Sequence, residues 1–566
     1  MTNHSSSFID LGSSIDKLFP PLPKYETLYE GGFTWHIDNW GSLEEKVKST
    51  NIKKIESPSF DIPNTSGECE YDWKLLLYPL GNNNPNYVAV YLNPKPKDKE
   101  IKEWSCCVQF SIFFSRPGED SVHVGKVSYY RFGEVDKDWG FSDMMDIHKL
   151  KTRYKELKNT VPTGLLLDEN RLNVSCYVRV IKDDTGVTWH NFKNYDSKIV
   201  TNYIGFRNQG ATCYLNSLLQ TYFILNKFRE MVYNIDTTNK TEPTENVDLA
   251  LQRLFFNLQT SETALNTVEL TKSFGWDSSD SFIQHDIQEL NRLLLDKLED
   301  SMDLKSLFVG EMKSYIKCLN VDYESSRLEE FWDIQLNVKN MSNIQESFDY
   351  YIQTEILEGE NAYYTDDFGL QQAKKGVIFT KLPNILFIQL NRFEYDYNLD
   401  KLAKINDRYE FFETLNLSKY MEKSEGDEIY ELHGVLVHSG AIDTGHYYAI
   451  LKPKDEWMCF DDDRVWRVKT NEVFENNFGY QKKSESTLKM MGKPSLQNYL
   501  MRRHTNAYML IYIKKDKTEE ILKETSEDKV PEHVKTRLIQ EKEIELKHQT
   551  ILNELRTTFK LKVVDG

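Results

Sequence analysis

The sequence predicts a multidomain chain, an all-β sandwich followed by an α+β domain. Short apolar runs separated by turn signals fill the first third of the chain, which is the pattern of a sandwich. From residue 205 onward, helical apolar spacing gives way to dense apolar strand runs, which is an α+β pattern. The chain has 566 residues, 40% of them hydrophobic and 13% aromatic, ample for the cores of two or three domains.

Residues 1–28 are rich in Ser and Pro and read as a flexible lead-in. Phe33, Trp35 and Ile37 then alternate with Thr34, His36 and Asp38, as in a half-buried strand. Strands are predicted at 71–78, 87–92, 104–114 and 173–181, with a Gly81-Asn-Asn-Asn-Pro85 turn after the first of these. Cys106 and Cys107 fall within a strand and read as core thiols. Asp138-Trp139-Gly140 stands between strand-like segments. Trp139 offers a flat apolar surface, Gly140 leaves backbone groups for an incoming strand, and Asp138 can accept a hydrogen bond. Together they suit a short extended peptide added at a sheet edge. A Trp139 that plugs the sandwich core is the competing reading.

Residues 183–202 are polar and read as a linker. Residues 205–220 then read Gly-Phe-Arg-Asn-Gln-Gly-Ala-Thr-Cys-Tyr-Leu-Asn-Ser-Leu-Leu-Gln, a glycine loop running into a helix. Thr212 suits the N-cap, which puts Cys213 in the first turn. The N-terminal end of a helix favours a thiolate. Asn208 could steady an oxyanion, and Gly205 and Gly210 could admit a substrate backbone. A buried cysteine at the start of an ordinary helix would look the same in isolation.

Helices are predicted at 247–258 and 284–298. In the second, Asp286 and Glu289 are three apart and share a face, beside Gln284. A solvated acidic face is the alternative. The loop 273–282 carries Gly275, Trp276 and Phe282 ahead of this helix and is a candidate gate. Residues 313–381 alternate strands with polar turns. Cys318 stands alone there, without the paired ligands of a zinc ribbon, so no metal is predicted. Residues 382–393 form a dense apolar strand, with Phe393 and Tyr395 on one face at its end.

Residues 432–451 read as strand, glycine loop, strand, with His446 where the second strand begins. A turn at 453–456 then sets a hairpin register in which Lys452 faces Trp457 and Tyr448 faces Asp461. Asp463 then lies directly across from His446, Asp461 lies diagonal to it, and Asp462 points away. Local geometry thus pairs a histidine with either of two aspartates. His433 and His438 lack such a partner and read as structural. A strand is expected at 506–514, then a charged helix at 534–555.

These pieces resemble the ubiquitin-specific proteases, peptidase family C19. Asn208-Gln-Gly-Ala-Thr-Cys213-Tyr-Leu-Asn-Ser217-Leu-Leu-Gln220 looks like their Cys box. His438-Ser-Gly, Gly445-His446-Tyr447 and Phe460-Asp461-Asp462 look like their His box, and Gln284-His-Asp and Leu390-Asn-Arg-Phe393 match intermediate boxes. Phe33-Thr-Trp-His-Ile, Trp73-Lys-Leu-Leu-Leu-Tyr-Pro and Asp138-Trp139-Gly140-Phe141 resemble the MATH domain of TRAF adaptors, which points to the MATH-containing subgroup. The implied layout is a MATH sandwich at 29–182, a papain-like catalytic domain of fingers, palm and thumb at 203–515, and a charged helical extension at 516–566. The subgroup continues into ubiquitin-like repeats that this sequence does not show, so the resemblance implies a fragment.

The resemblance implies a deubiquitinase. Cys213 is then the nucleophile, His446 the base, Asp461 its orienting group and Asn208 an oxyanion donor. Gln284, Asp286, Glu289, Phe393, Tyr395 and Tyr447 line the channel for the ubiquitin tail. It also implies Ser-containing peptides as ligands of Asp138, Trp139 and Gly140, and no cofactor. A non-catalytic ubiquitin- or peptide-binding scaffold, or a protease for another ubiquitin-like modifier, are the alternatives. The formal charge of -18 argues against nucleic acid and anionic membrane as general partners. No apolar run approaches the roughly 20 residues of a membrane span. Seven cysteines without framework spacing, and no signal peptide at 1–10, suggest the cytoplasm or nucleus.

Overall fold

A computed structural model describes residues 19–50, 52–152, 166–276, 285–396, 400–423, 426–442, 444–481, 500 and 502–564. The chain divides into two compact units, Met1–Asn194 and Tyr195–Gly566.

The first unit is a sandwich of two four-stranded antiparallel sheets. One runs Thr27–Ile37, Leu172–Ile181, Ser105–Arg116, Glu119–Gly133. The other runs Ile55–Glu56, Tyr71–Tyr78, Tyr87–Pro96, Trp139–Asp146. Period-2 alternation sends Val108, Phe110, Ile112 and Phe114 inward against Trp73, Leu75, Leu77, Val90 and Leu92. Cys106 and Cys107 are buried thiols. The long strand Glu119–Gly133 has no clean alternation in sequence, and the sequence reading does not include it.

Two of the expected boundaries shift. The lead-in predicted to end at residue 28 is bound to the sandwich from residue 19. Phe19 is buried beneath the Arg179 guanidinium, 4.4 Å from its ring, and the Pro20 carbonyl accepts from Gln109 at 2.7 Å and Arg179 at 3.0 Å. The 183–202 linker is folded as well. Asp183 pairs with Arg131, and the Trp189 ring sits 5.4 Å from Tyr25. In the second unit the helix Ser197–Thr201 is tied to the sheet, where the Val465 N–H donates to Ser197 Oγ at 2.9 Å.

The second unit is built on an eight-stranded mixed sheet. Its order is Asp333–Asn337, Ile385–Asn391, Thr505–Lys514, Ile429–Ser439, His446–Leu451, Trp457–Asp461, Arg464–Val468, with Thr414–Asn416 paired beside Ile429–Ser439. All twelve residues of the helix Cys213–Ile224 are buried in the centre of the core, where the polar Asn216, Ser217, Gln220 and Thr221 each donate a hydrogen bond. A separate antiparallel sheet runs Glu324–Phe331, Gly310–Cys318, Ala373–Lys381, Glu355–Leu357, in the stretch where the resemblance implies the fingers. The C-terminal helix Glu532–Val564 is not wholly a detached extension. Val534 and Leu538 join the core that holds Leu215 and Leu218, and the buried Arg253 side chain pairs with Glu541 at 2.6 Å.

Candidate active site

Cys213 opens the central helix and is 3% exposed. Thr212 occupies the N-cap position, but its hydroxyl caps nothing. It accepts the Gln209 N–H at 3.0 Å instead. The first-turn N–H groups around the thiol therefore take no acceptor from the cap side chain. The Tyr447 N–H donates to Cys213 Sγ at 3.4 Å, which seats the sulfur against the start of the strand His446–Leu451.

That strand also places His446. Its Nε2 lies 2.5 Å from Asp461 Oδ1. Hydrogen bonding to Asp461, then to Cys213, pushes the His446 pKa up to about 10, with burial opposing. The imidazole thus stands between the carboxylate and the sulfur.

The hairpin has the register read from sequence, with Ala449 opposite Phe460 and Leu451 opposite Met458. Continued, that ladder sets Asp463 across from His446. The strand stops first. Asp462 takes a left-handed φ of 48°, and Asp461 pairs with Arg464 in the return strand. Asp463 leaves the ladder with a 58% exposed side chain, 3.7 Å from Arg464. Asp461 reaches His446 on the diagonal.

The same turn overturns the reading of Asp462 as pointing away. Its carboxylate accepts from Asn208 Nδ2 at 2.9 Å and from Asn216 Nδ2 at 2.8 Å. Burial pushes its pKa up, and the two amides oppose that. Its carbonyl accepts the Phe206 N–H at 2.7 Å. This contact requires glycine at 205, since a Cβ there would lie 2.0 Å from the Asp462 oxygen. The close approach that Gly205 permits is to the protein's own strand rather than to substrate. Asn208 is fixed from its other end, where Oδ1 accepts the N–H of Gly210 at 2.9 Å and of Thr212 at 3.2 Å. Alternation hid Asp462; the signal that could have exposed it is an Asp run ahead of a new strand, since Asp tolerates left-handed turns. His446, Asp461 and Asp462 bring ligand atoms within 4.8 Å of one another, yet the hydrogen bonds above already engage them.

The acidic pair is arranged differently from the helix-face reading. Asp286 is not in the helix Ile287–Leu298 but is its N-cap, with Oδ1 accepting the Gln288 N–H at 2.7 Å and Oδ2 the Tyr508 hydroxyl. Glu289 is exposed in the first turn. Gln284, Phe282 and most of the proposed gate lie outside the described residues. Trp276 stacks on His285 at 5.4 Å.

Phe393 and Tyr395 lie on the strand Phe393–Asp396; Phe393 packs edge-on to His438 at 5.3 Å, and Tyr395 is 43% exposed. Tyr447 is 3% exposed, packed on His438 and Tyr508. It is part of the core beneath this surface and does not form an exposed wall, because the strand pleat turns it inward while His446 faces out.

On the sandwich, Trp139 is 43% exposed and stacks flat on Tyr130 at 4.2 Å, so it does not plug the core. Asp138 is exposed. Gly140 is opposite Tyr91 inside the sheet, where a Cβ would lie 2.2 Å from the Val90 carbonyl oxygen. Its glycine therefore serves strand packing and not an incoming chain. The strand Trp139–Asp146 is the last of its sheet among the described residues.

Comparison with known proteins adds family membership. Residues 204–512 match the ubiquitin carboxyl-terminal hydrolase family and residues 32–160 match the MATH domain. The chain is 49% identical to ubiquitin carboxyl-terminal hydrolase 15 of Saccharomyces cerevisiae, over 95% of this chain and 45% of that protein. It is 43% identical to ubiquitin carboxyl-terminal hydrolase 5 of Schizosaccharomyces pombe, over 92% of this chain and 46% of that protein. It is 37% identical to ubiquitin carboxyl-terminal hydrolase 7 of Drosophila melanogaster, over 87% of this chain and 42% of that protein. The chain spans just under half the length of these relatives.

Proposed function

The chain belongs to the ubiquitin carboxyl-terminal hydrolase family, and from that premise we propose that it is a deubiquitinating cysteine protease. The observation that carries this reading is His446 held between Cys213 and Asp461. The Cys213 sulfur attacks the carbonyl carbon of the last glycine of ubiquitin. His446 holds the thiol proton as imidazolium and gives it to the leaving lysine amine as the C–N bond breaks. Asp461 fixes the tautomer and supports the imidazolium. The Cys213 N–H and one Asn208 Nδ2 hydrogen stabilise the oxyanion, while Asp462 engages the other Asn208 hydrogen. Water, deprotonated by His446, then cleaves the thioester and releases the thiolate.

Glu289, exposed, and Asp286 meet the arginines of the ubiquitin tail through charge-assisted hydrogen bonds. Phe393 and Tyr395 flank the tail, and the finger sheet holds the body of ubiquitin. The MATH unit recruits ubiquitinated proteins by adding a short Ser-containing peptide to the edge strand Trp139–Asp146, across the exposed face of Trp139. No helix among the described residues is long and apolar enough to cross a membrane, and the proposed setting is cytoplasm or nucleus.

The test is hydrolysis of ubiquitin-aminomethylcoumarin together with electrophilic probes built on ubiquitin and on its relatives. Turnover, with ubiquitin-probe labelling lost in Cys213→Ala, is expected. Labelling only by a different modifier's probe, or by none, overturns the reading.

A further inference from the structure

The strand ends beside the His446 hairpin hold a half-buried lysine that the mechanism does not use. Lys404 ends the short strand Lys401–Lys404, opposite Phe393. Its Nζ lies 2.7 Å from His438 Nδ1, 3.1 Å from the His438 carbonyl, 3.3 Å from the Gly440 carbonyl and 2.7 Å from the His504 carbonyl. None of these partners is a carboxylate. Burial, with the Arg392 guanidinium nearby, pushes the Lys404 pKa down to about 7. Burial, then Lys404, pushes His438 down to about 3, so His438 is neutral and Nδ1 accepts. Its proton then resides on Nε2, which is buried and has no hydrogen-bond partner among the described residues.

The contacts are placed where they bear on catalysis. Ser439 pairs directly with His446 across the hairpin. Lys404 grips the carbonyls on both sides of Ser439, at His438 and Gly440. It also grips His504, next to Thr505, whose hydroxyl meets Ser439 Oγ at 2.7 Å. One ammonium therefore joins two strand ends at the level of the catalytic histidine. The His438 ring completes the path, since a Cβ on Gly445 would lie 2.0 Å from His438 Nε2, and Gly445 precedes His446. A cation with no counter-ion among the described residues, satisfied by backbone carbonyls, costs desolvation. Stability is poorly served by such a group, whereas fixing backbone at strand ends is served well.

We propose that Lys404 is a positioning residue for His446, acting through His438 and the backbone on either side of Ser439. The proposal rests on the deubiquitinase reading above. Misplacing a catalytic group by about 1 Å costs on the order of a hundredfold in rate. Lys404→Met keeps the stem and removes the donors. It is expected to lower kcat on ubiquitin-aminomethylcoumarin by about tenfold or more while KM stays within about threefold. Lys404→Arg, which restores donors, is expected to recover at least about a third of the wild-type kcat.

His438→Phe keeps the ring and removes the acceptor, and gives a second route if Lys404→Met folds poorly. It should lower kcat by a similar factor, and the double variant should be no worse than the poorer single one. All are assayed in the full chain below their measured melting temperatures. The proposal is overturned if Lys404→Met and His438→Phe each keep kcat within threefold. It is overturned too if the loss is in KM, if Lys404→Arg is as poor as Lys404→Met, or if the two losses multiply. A wild-type chain that neither turns over nor takes the ubiquitin probe overturns the deubiquitinase reading and this inference together. An active wild type with unaffected variants overturns this inference alone.

Discussion

Three consecutive aspartates follow Phe460, and the structure gives each a different fate. Replacing each with alanine should therefore give three different rates. Asp461 holds His446 Nε2 at 2.5 Å and is the first cause of its raised pKa. Losing the orienting carboxylate of a triad costs on the order of 10⁴ in kcat. Asp462 does not touch the imidazole in any hydrogen bond but fixes the Asn208 and Asn216 amides at 2.9 and 2.8 Å. Its removal loosens one oxyanion donor, for which complete loss costs about 10²–10³. A loss of about ten- to a hundredfold follows, since Gly210 and Thr212 still hold Asn208 Oδ1. Alanine at a left-handed φ of 48° adds a stability cost of about 1 kcal/mol, visible in a melt and not in kcat. Among the described residues Asp463 forms an exposed ion pair with Arg464, worth ~0–1 kcal/mol, and its loss should leave kcat within about twofold. Steady-state hydrolysis of ubiquitin-aminomethylcoumarin measures all three. If Asp463→Ala is the slowest, or Asp461→Ala stays within tenfold of wild type, the diagonal pairing is not the catalytic one.

Other perturbations separate binding from chemistry. Glu289→Lys should raise KM for ubiquitin substrates with kcat and melting temperature unchanged, whereas Asp286→Lys should also lower the melt, by about 1 kcal/mol of lost N-cap; an unchanged KM in both returns the pair to a solvated face. The His446 pKa is raised in the fold, so its pairing with Asp461 contributes stability that is fully present below about pH 6.5 and is lost as pH rises through about 10. The melting-temperature gap between wild type and Asp461→Asn should therefore shrink from pH 6 to pH 10, and a gap that widens refutes this sign. Trp139→Ala should leave the sandwich folded, cost about 0.5–1.5 kcal/mol of stacking on Tyr130, and abolish capture of Ser-containing peptides with ubiquitin-aminomethylcoumarin turnover intact. Peptide titration beside a melt checks it, and unfolding would restore the core reading.

The elements that could be read from sequence are those with one dominant period. The strand Tyr71–Tyr78 and the Cys213 helix each have a single repeating apolar signal, and the hairpin register followed from one four-residue turn, Pro-Lys-Asp-Glu. Errors arose where a tertiary contact set the local rule. Residues 19–28 and 183–202 look like tethers in composition, yet Phe19 beneath Arg179 and Trp189 against Tyr25 are contacts to partners more than a hundred residues away. No local window holds such information. Glu119–Gly133 was hidden for a related reason, as its polar residues interrupt the alternation that marks a half-buried strand.

The active site shows the same division within three residues. Period-2 alternation is a property of a strand that continues, and it offered His446 both Asp463 across the ladder and Asp461 on the diagonal, and sent Asp462 away. The strand instead ends at Asp461, and Gly205 is what allows that end to be used. Only without a Cβ at 205 can the Phe206 amide reach the Asp462 carbonyl, at 2.7 Å. That bond fixes the turn whose carboxylate holds Asn208, five residues ahead of Cys213. The loop that carries the oxyanion donor and the strand that carries the aspartates are thus locked by one backbone contact 256 residues apart in sequence. Cys213, His446 and Asp461 are residue types that chemistry alone can nominate. The parts that hold them, Gly205, Asp462 and the Lys404–His438 pair, have no chemical signature of their own and become visible only when the strand ends are in place.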